Sequence, residues 1–267
     1  MSNGARQPRG LAEPVGKALL QKRLPGAIFF VRLRMLNLEK GITQMAFKFN
    51  TGLKAVIFDF DGTILNSKRD GNFHEVAKLR KLKIPAGERL ENHLGMPAKC
   101  IIKTFWPEEN AEQFLQLWEQ LDLSQPSPLI TDTLNILNFF QNSLIQMGIL
   151  SSRRSSSLFP LLRYCQIIEY FNPKLLQAID TWDYHKPHIK ALDNILLRLA
   201  ELGITKEGIL YVGDAVVDWQ CASGAGVRFV GVETGVLNRT AWKIRGLESK
   251  NIIPDIGWLP VWILKHF

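Results

Sequence analysis

Asp59 and Asp61 stand two residues apart where the apolar run Lys54-Ala-Val-Ile-Phe ends and an Asp-Gly turn begins. In a strand, residues i and i+2 point the same way, but a chain that turns at Asp61-Gly62 lets the two acids diverge into unlike surroundings. One carboxylate is then placed to act as a nucleophile and the other to shuttle a proton. Gly62 lets backbone N–H groups come close to an anion, and Thr63 is suited to cap a following helix. By itself the stretch also reads as a plain strand ending in a turn.

Three later segments repeat the pattern of an element end carrying polar chemistry. Leu144 to Leu150 is a second apolar run, and it ends at Ser151-Ser152-Arg153, two hydroxyls and a cation at a strand tip. Lys186-Pro187 opens a segment with Ile189, Leu192, Leu196 and Leu199 at helical spacing, so a lysine is expected just before a helix whose first position is the proline. Gly208 to Gly213 runs into Asp214 and Asp218, another strand tip loaded with acids. Each has a bland reading: Ser151 as a cap, Lys186 as a solvated cation, Asp214 and Asp218 as acids at a helix N-terminus. Their joint occurrence in one chain argues against coincidence.

With these motifs in this order, the chain resembles the haloacid dehalogenase (HAD) superfamily, on its phosphoglycolate-phosphatase-like side, from about Lys54 onward. The family pattern of D-x-D-G-T, a strand-end hydroxyl, a lysine and G-D-x-x-x-D falls on Asp59 to Thr63, Ser151, Lys186 and Gly213 to Asp218. The resemblance implies a doubly wound, Rossmann-like α/β core with a mostly parallel sheet and an inserted helical cap. It implies that Asp59 attacks phosphorus to give an aspartyl-phosphate, and that Asp61 protonates the departing alkoxide and later activates water. It further implies Mg²⁺ held by the Asp59 carboxylate, the Asp61 carbonyl and the Asp214 carboxylate, with Asp218 orienting that shell or the lysine. Ser151 and Lys186 would hold the phosphoryl oxygens, helped by groups at Gly62, Thr63, Ser152 and Arg153. Such a site needs the cation and Lys186, since three or four carboxylates in one pocket could not otherwise all stay ionised.

The net charge of +8 suggests nucleic acid until it is located. Residues 1–50 hold nine of the 33 basic residues and only Glu13 and Glu39 of the 25 acids, a balance of +7 that leaves +1 for the rest. The region bearing the motifs is nearly neutral, which fits a small phosphorylated metabolite and gives no reason to invoke nucleic acid. The three cysteines, Cys100, Cys165 and Cys221, are too scattered for a disulfide framework or a metal pair, and no apolar run approaches a membrane span. A cytoplasmic monomer or homodimer is expected. Residues 1–50 read as a basic extension: a start set upstream of Met45, a targeting presequence, a partner-binding arm or a solvated tail.

Between the first two motifs lie 87 residues, far more than one crossover needs. Phe73 to Lys83 offers one apolar face, and Ala111, Phe114, Leu115, Trp118 and Leu121 form a cleaner stripe. Gln125-Pro-Ser-Pro128 then breaks the chain before a helix expected from Thr131 to Asn142. The division is therefore a basic extension at 1–50, a core at 51–66 and 129–267, and a cap at 67–128. Three departures from the family pattern stand out: Asn66 replaces the common acid, Ser152-Arg153 replaces Asn-Lys, and the Pro-Gly turn before the helix at Thr131 is missing. Arg153 and Arg154 could bind a second anionic group or lie at the surface. The expected activity is a Mg²⁺-dependent phosphatase on a small phosphomonoester of the phosphoglycolate or sugar-phosphate type. The alternatives are a sugar-phosphate mutase of the same fold and a binding module that keeps the motifs without turnover. A haloacid dehalogenase would lack Asp61.

Overall fold

The computed structural model describes residues 51–67, 72–90, 93 and 97–267. The reading of residues 1–50 lies outside the described residues.

Strand β1 (Ala55–Phe58) is apolar at every position because it is covered on both faces, as central parallel strands are. It lies between β2 (Gln146–Leu150) and β4 (Ile209–Gly213), and Phe58 stands level with Ile149 on one side and Val212 on the other. The sheet is completed by β3 (Leu176–Gln177), β5 (Arg228–Val232) and β6 (Ile252–Ile253), in the order β3-β2-β1-β4-β5-β6. All five strand pairings are parallel. This is the doubly wound α/β architecture expected from the motifs. On one face Ala55 and Ile57 pack with helices α6 (Asp193–Glu201), α7 (Val216–Gly224) and α8 (Arg239–Ile244). On the other, the Phe58 ring lies 6.2 Å from Phe140 of α4 (Thr133–Asn142) and 6.5 Å from Phe171. Helix α5 (Ser155–Tyr164) follows β2 and buries Leu158, Leu161 and Leu162, and α9 (Leu259–His266) closes the chain.

Between β1 and α4 the described residues form three α-helices, α1 (Asn72–Leu79), α2 (Ala98–Phe105) and α3 (Ala111–Ser124). Asn110 starts α3 by accepting the N–H groups of Glu112 and Gln113, so two orphan donors of the first turn are satisfied. The three helices bury a cluster of their own, with Phe73 4.8 Å from Phe114 and Phe114 5.6 Å from Trp106, centroid to centroid. The apolar face expected of Phe73 to Lys83 is shorter than that span: Leu79 is exposed and the chain reverses at Lys81, which has a positive φ. The two ends of the insertion are tied side by side, Asn66 N–H to the Pro128 carbonyl and Ile130 N–H to that of Ile64, at 2.8 and 2.9 Å. The helix expected from Thr131 starts two residues later, after Asp132 takes a left-handed conformation.

Phe114 is wholly buried in the aromatic cluster, so Phe114→Ala should lower stability by about 3–5 kcal/mol through lost burial and the cavity left behind. Denaturant titration of the purified chain measures the loss, and a change near zero would mean that the cluster does not hold the insertion together.

Candidate active site

The sheet order reverses direction between β1 and β4, and ligands in such sheets gather beyond the C-terminal ends of the strands at that point. Asp59 follows β1, Ser151 follows β2 and Asp214 follows β4, so parallel pairing alone brings three of the motifs to one edge. The ladder extends one step past β1, Asp59 N–H donating to the Val212 carbonyl at 2.8 Å. The chain then folds back, with Gly62 N–H on the Leu65 carbonyl and Leu65 N–H on that of Phe60. Gly62 has φ +71° and lies so close to Asp214 that an added Cβ would stand 2.5 Å from Oδ2.

The two acids diverge. Asp59 turns inward, and its Oδ1 accepts a hydrogen bond from Lys186 Nζ at 2.5 Å. The same ammonium donates to Asp218 Oδ1 at 2.8 Å. Asp218 is completely buried, with Oδ1 also accepting the Tyr211 hydroxyl at 3.0 Å and Oδ2 accepting Ala215 N–H at the start of α7. Carboxylate oxygens of Asp59, Asp214 and Asp218 lie within 4.8 Å of one another. Asp61 points the other way, into a bidentate pair with Arg153, Nε to Oδ2 and Nη2 to Oδ1, each 2.7 Å.

Desolvation dominates the electrostatics. Burial, reinforced by Asp218 and Asp61 and offset in part by Lys186, pushes the Asp59 carboxyl up to about 7. Burial, together with the charges of Asp59 and Asp218, also raises Asp214 well above the ordinary carboxylate range. Burial opposes the charge on Lys186, but Asp218 and Asp59 outweigh it and hold the ammonium protonated. Were all three buried carboxylates ionised, one ammonium would leave two negative charges uncompensated. A hard divalent cation matches both that deficit and an all-oxygen donor set, so the residues fit Mg²⁺.

Ser151 is buried and its hydroxyl accepts the Arg153 N–H at 3.1 Å, which turns the strand tip. Ser152 is half-buried beside it. Some expected details differ. Thr63 caps no helix: the segment after it folds into a turn and a bridge to Leu129, and its side chain is fully enclosed. Pro187 is not the first residue of a helix; it follows a cis peptide, His188 caps a 3-10 turn at Ile189–Leu192, and α6 begins at Asp193. Arg153 is not at the surface and its donors are spent on protein carboxylates, and Arg154 pairs with Glu119 and Glu112 at 2.6 and 2.5 Å. Tyr211 and Gly235 are site residues that the motif search passed over. Tyr211 was visible as the one polar side chain inside the β4 run. Gly235 carried no signal beyond its type, yet a Cβ there would stand 1.6 Å from Asp214 Oδ2.

A sequence profile described as "Haloacid dehalogenase-like hydrolase" matches residues 56–232. The chain belongs to this family. Among its relatives, a phosphoglycolate phosphatase of Photorhabdus laumondii is 29% identical over 204 residues, 72% of this chain and 85% of that protein. A Clostridium perfringens protein provisionally named as the pyrophosphatase PpaX is 25% identical over 190 residues, 68% of this chain and 84% of its own length. The fold is shared with CbbY from Rhodobacter sphaeroides, solved in complex with phosphate, at a TM-score of 0.61 and 18% identity over 78% of this chain and 96% of that one. No helix among the described residues of this family member is long and apolar enough to cross a membrane.

Two outcomes follow for the carboxylate cluster. Gly235→Ala should displace Asp214 and weaken divalent-cation binding by about 10- to 100-fold, as read by calorimetry. An unchanged affinity would place the cation away from Asp214. Folded Asp59 keeps its proton up to about 7, whereas the unfolded group releases it near 3.8. The native state therefore binds more protons across that window, and this group's contribution to stability falls as pH rises through it. The melting temperature of the divalent-free protein should drop between about pH 4 and pH 7, and Mg²⁺ should narrow the drop; an equal drop with and without Mg²⁺ would contradict the assignment.

Proposed function

We propose that the chain is a Mg²⁺-dependent phosphomonoesterase acting on a small phosphorylated metabolite through an aspartyl-phosphate on Asp59. The observation that carries this reading is the Lys186 ammonium shared between Asp59 and Asp218 at 2.5 and 2.8 Å, with Asp214 close enough to share a cation with Asp59. Phosphoryl transfer asks a protein for positioning and charge neutralisation more than for covalent chemistry, and this is what such a cluster offers. Asp59, Asp214 and the Asp61 carbonyl would hold Mg²⁺, which when bound supplies positive charge against the phosphoryl oxygens. Asp218, with both oxygens engaged by Lys186, Tyr211 and Ala215, serves to position the lysine.

In the first half-reaction an Asp59 oxygen attacks phosphorus, the bond to the leaving oxygen breaks, and that oxygen takes its electron pair and a proton from Asp61. In the second, Asp61 accepts a proton from water, the water oxygen bonds to phosphorus, and the aspartyl–phosphorus bond breaks to restore Asp59 and release phosphate. Lys186 and Ser151, with backbone N–H groups near Gly62 and Ser152, hold the transferred group. Residues 67–128 act as a cap that shields the site and favours a small substrate over a macromolecule. Phosphoglycolate or a short sugar phosphate is the leading substrate, on the likeness to phosphoglycolate phosphatases; the pyrophosphatase-named relative adds pyrophosphate to the panel.

The test is phosphate release from a panel of phosphate esters and pyrophosphate with and without Mg²⁺, comparing the native chain with Asp59→Asn. Release should require Mg²⁺ and fall by at least about 10⁴-fold in the variant, which lacks the nucleophile. Equal rates in the two proteins would sink the enzyme reading and leave a binding module.

A further inference from the structure

Arg153 does not lie at the surface. The side chain is 4% exposed, and its donors are distributed over three elements. Nε and Nη2 fork onto both oxygens of Asp61 at 2.7 Å, while Nη1 donates to Asp122 Oδ2 on α3 and, at 3.1 Å, to the Ser157 hydroxyl on α5. The guanidinium also lies against rings, 5.2 Å from the Trp118 centroid and 5.9 Å from that of Phe60. Asp122 is itself 2% exposed, and its Oδ1 accepts from Asn72 at the start of α1. A continuous chain of hydrogen bonds thus runs from the helical insertion through one guanidinium to Asp61.

We propose that Arg153 is a positioning residue through which docking of the insertion sets the carboxylate of Asp61. The inference rests on the reading above, in which Asp61 carries the proton. A two-point fork fixes both the place and the plane of a carboxylate, which a single hydrogen bond does not. The Asp61 side chain keeps 35% exposure, so the held carboxylate still faces a bound ester. The other end of the guanidinium is held by Ser157 and, through the one charged contact, by Asp122 when α3 presents it. The adjacent seam favours that arrangement, since Glu119 of α3 takes both Arg154 and Ser156, and Glu112 takes Arg154 again. A buried carboxylate–guanidinium–carboxylate set adds little stability over well-packed apolar side chains, so its use here is to transmit position. Four of the hydrogen bonds of Arg153 go to Asp61, Asp122 and Ser157, so in this arrangement its guanidinium has little donor capacity left for a second anionic group of the substrate.

The test compares Asp122→Asn, Arg153→Lys and the double variant with the native chain in Mg²⁺, on p-nitrophenyl phosphate and on a simple alkyl phosphate. Nitrophenolate leaves without being protonated, whereas an alkoxide needs the proton that Asp61 delivers. Asp122→Asn keeps the shape of the side chain and removes the charge that holds Arg153. It should lower kcat/KM, which reports the first half-reaction, by about 10- to 100-fold on the alkyl ester, the scale of a misplaced catalytic group, with kcat/KM on the aryl ester much less affected. Arg153→Lys should show the same selectivity, and the double variant should be no slower than Arg153→Lys alone, because both act through one bridge. Equal losses of kcat/KM on both esters with a lower melting temperature would reduce the bridge to a structural role and overturn the inference while leaving the phosphatase reading intact. Independent, multiplicative effects of the two substitutions would also overturn it. A native chain inert on every ester would overturn the reading and this inference together.

Discussion

Everything in the site depends on one buried ammonium. Lys186 is 3% exposed and stands between Asp59 and Asp218, residues 127 and 32 positions away in the chain. Removing one partner from such a buried set costs about 3–5 kcal/mol, because the remaining charge is stranded without water. The surrounding sequence supports this contact closely. Tyr211 and the Ala215 amide satisfy the remaining capacity of Asp218, so it can hold Lys186 without an unpaired oxygen. Asp214 is wedged between the backbones of Gly62 and Gly235, where neither position has room for a side chain, and its Oδ2 accepts the Val236 amide at 3.3 Å.

The parallel sheet makes this convergence inexpensive. Strands that point the same way end on the same edge, so polar residues placed just after β1, β2 and β4 meet without any local interaction among them. The apolar strands carry the cost of assembly, and the tips are free to be chosen for chemistry. Lys186 comes instead from the long connection between β3 and α6, held by a lone 3-10 turn at Ile189–Leu192 and by Gln177, whose side chain donates to the Ala191 carbonyl at 2.7 Å.

Residues whose role follows from position on a strand were legible in the sequence. An apolar run that ends in Asp59 or Asp214 announces both the strand and its tip, because burial on both faces demands such a run and water-facing ends permit acids. The class of fold came with the family resemblance that those motifs carry, and the aromatic stripe of α3 was visible from its spacing. Partnerships across the fold were not legible. Asp122 falls four residues after Trp118 on the apolar stripe, a charged residue where packing is expected, and its meaning depends on Arg153, 31 residues away. Nor does a local pattern reveal that Pro187 lies outside the helix it precedes, since the spacing of Ile189, Leu192 and Leu196 is the same whether the first turn is 3-10 or α. Thr63 was misjudged for a related reason. Its cap propensity is local, whereas the bridge from Leu65 to Leu129 that directs the chain away from a helix is made 64 residues downstream.

The departures from the family pattern gather in one region of the structure. Asn66 lies at the neck, where its N–H reaches the Pro128 carbonyl at 2.8 Å and the chain enters and leaves the insertion. Ser152-Arg153 leads directly into the seam between α5 and α3. The missing Pro-Gly turn is on the same return path, where Asp132 adopts a left-handed conformation before α4. By contrast Asp59, Lys186, Asp214 and Asp218 keep their types and meet around one point, and Asp61 keeps its type beside them in a pair with Arg153. The departures therefore lie where the insertion meets the core and not in the carboxylate cluster. A buried carboxylate cluster accepts almost no substitution without stranding a charge, while the partly exposed pairs of Arg154 with Glu112 and Glu119 in the seam can be exchanged at small cost. A protein that keeps its charge cluster and rewires its seam can alter how the insertion docks, and with it the access and selectivity of the site, without rebuilding the site itself.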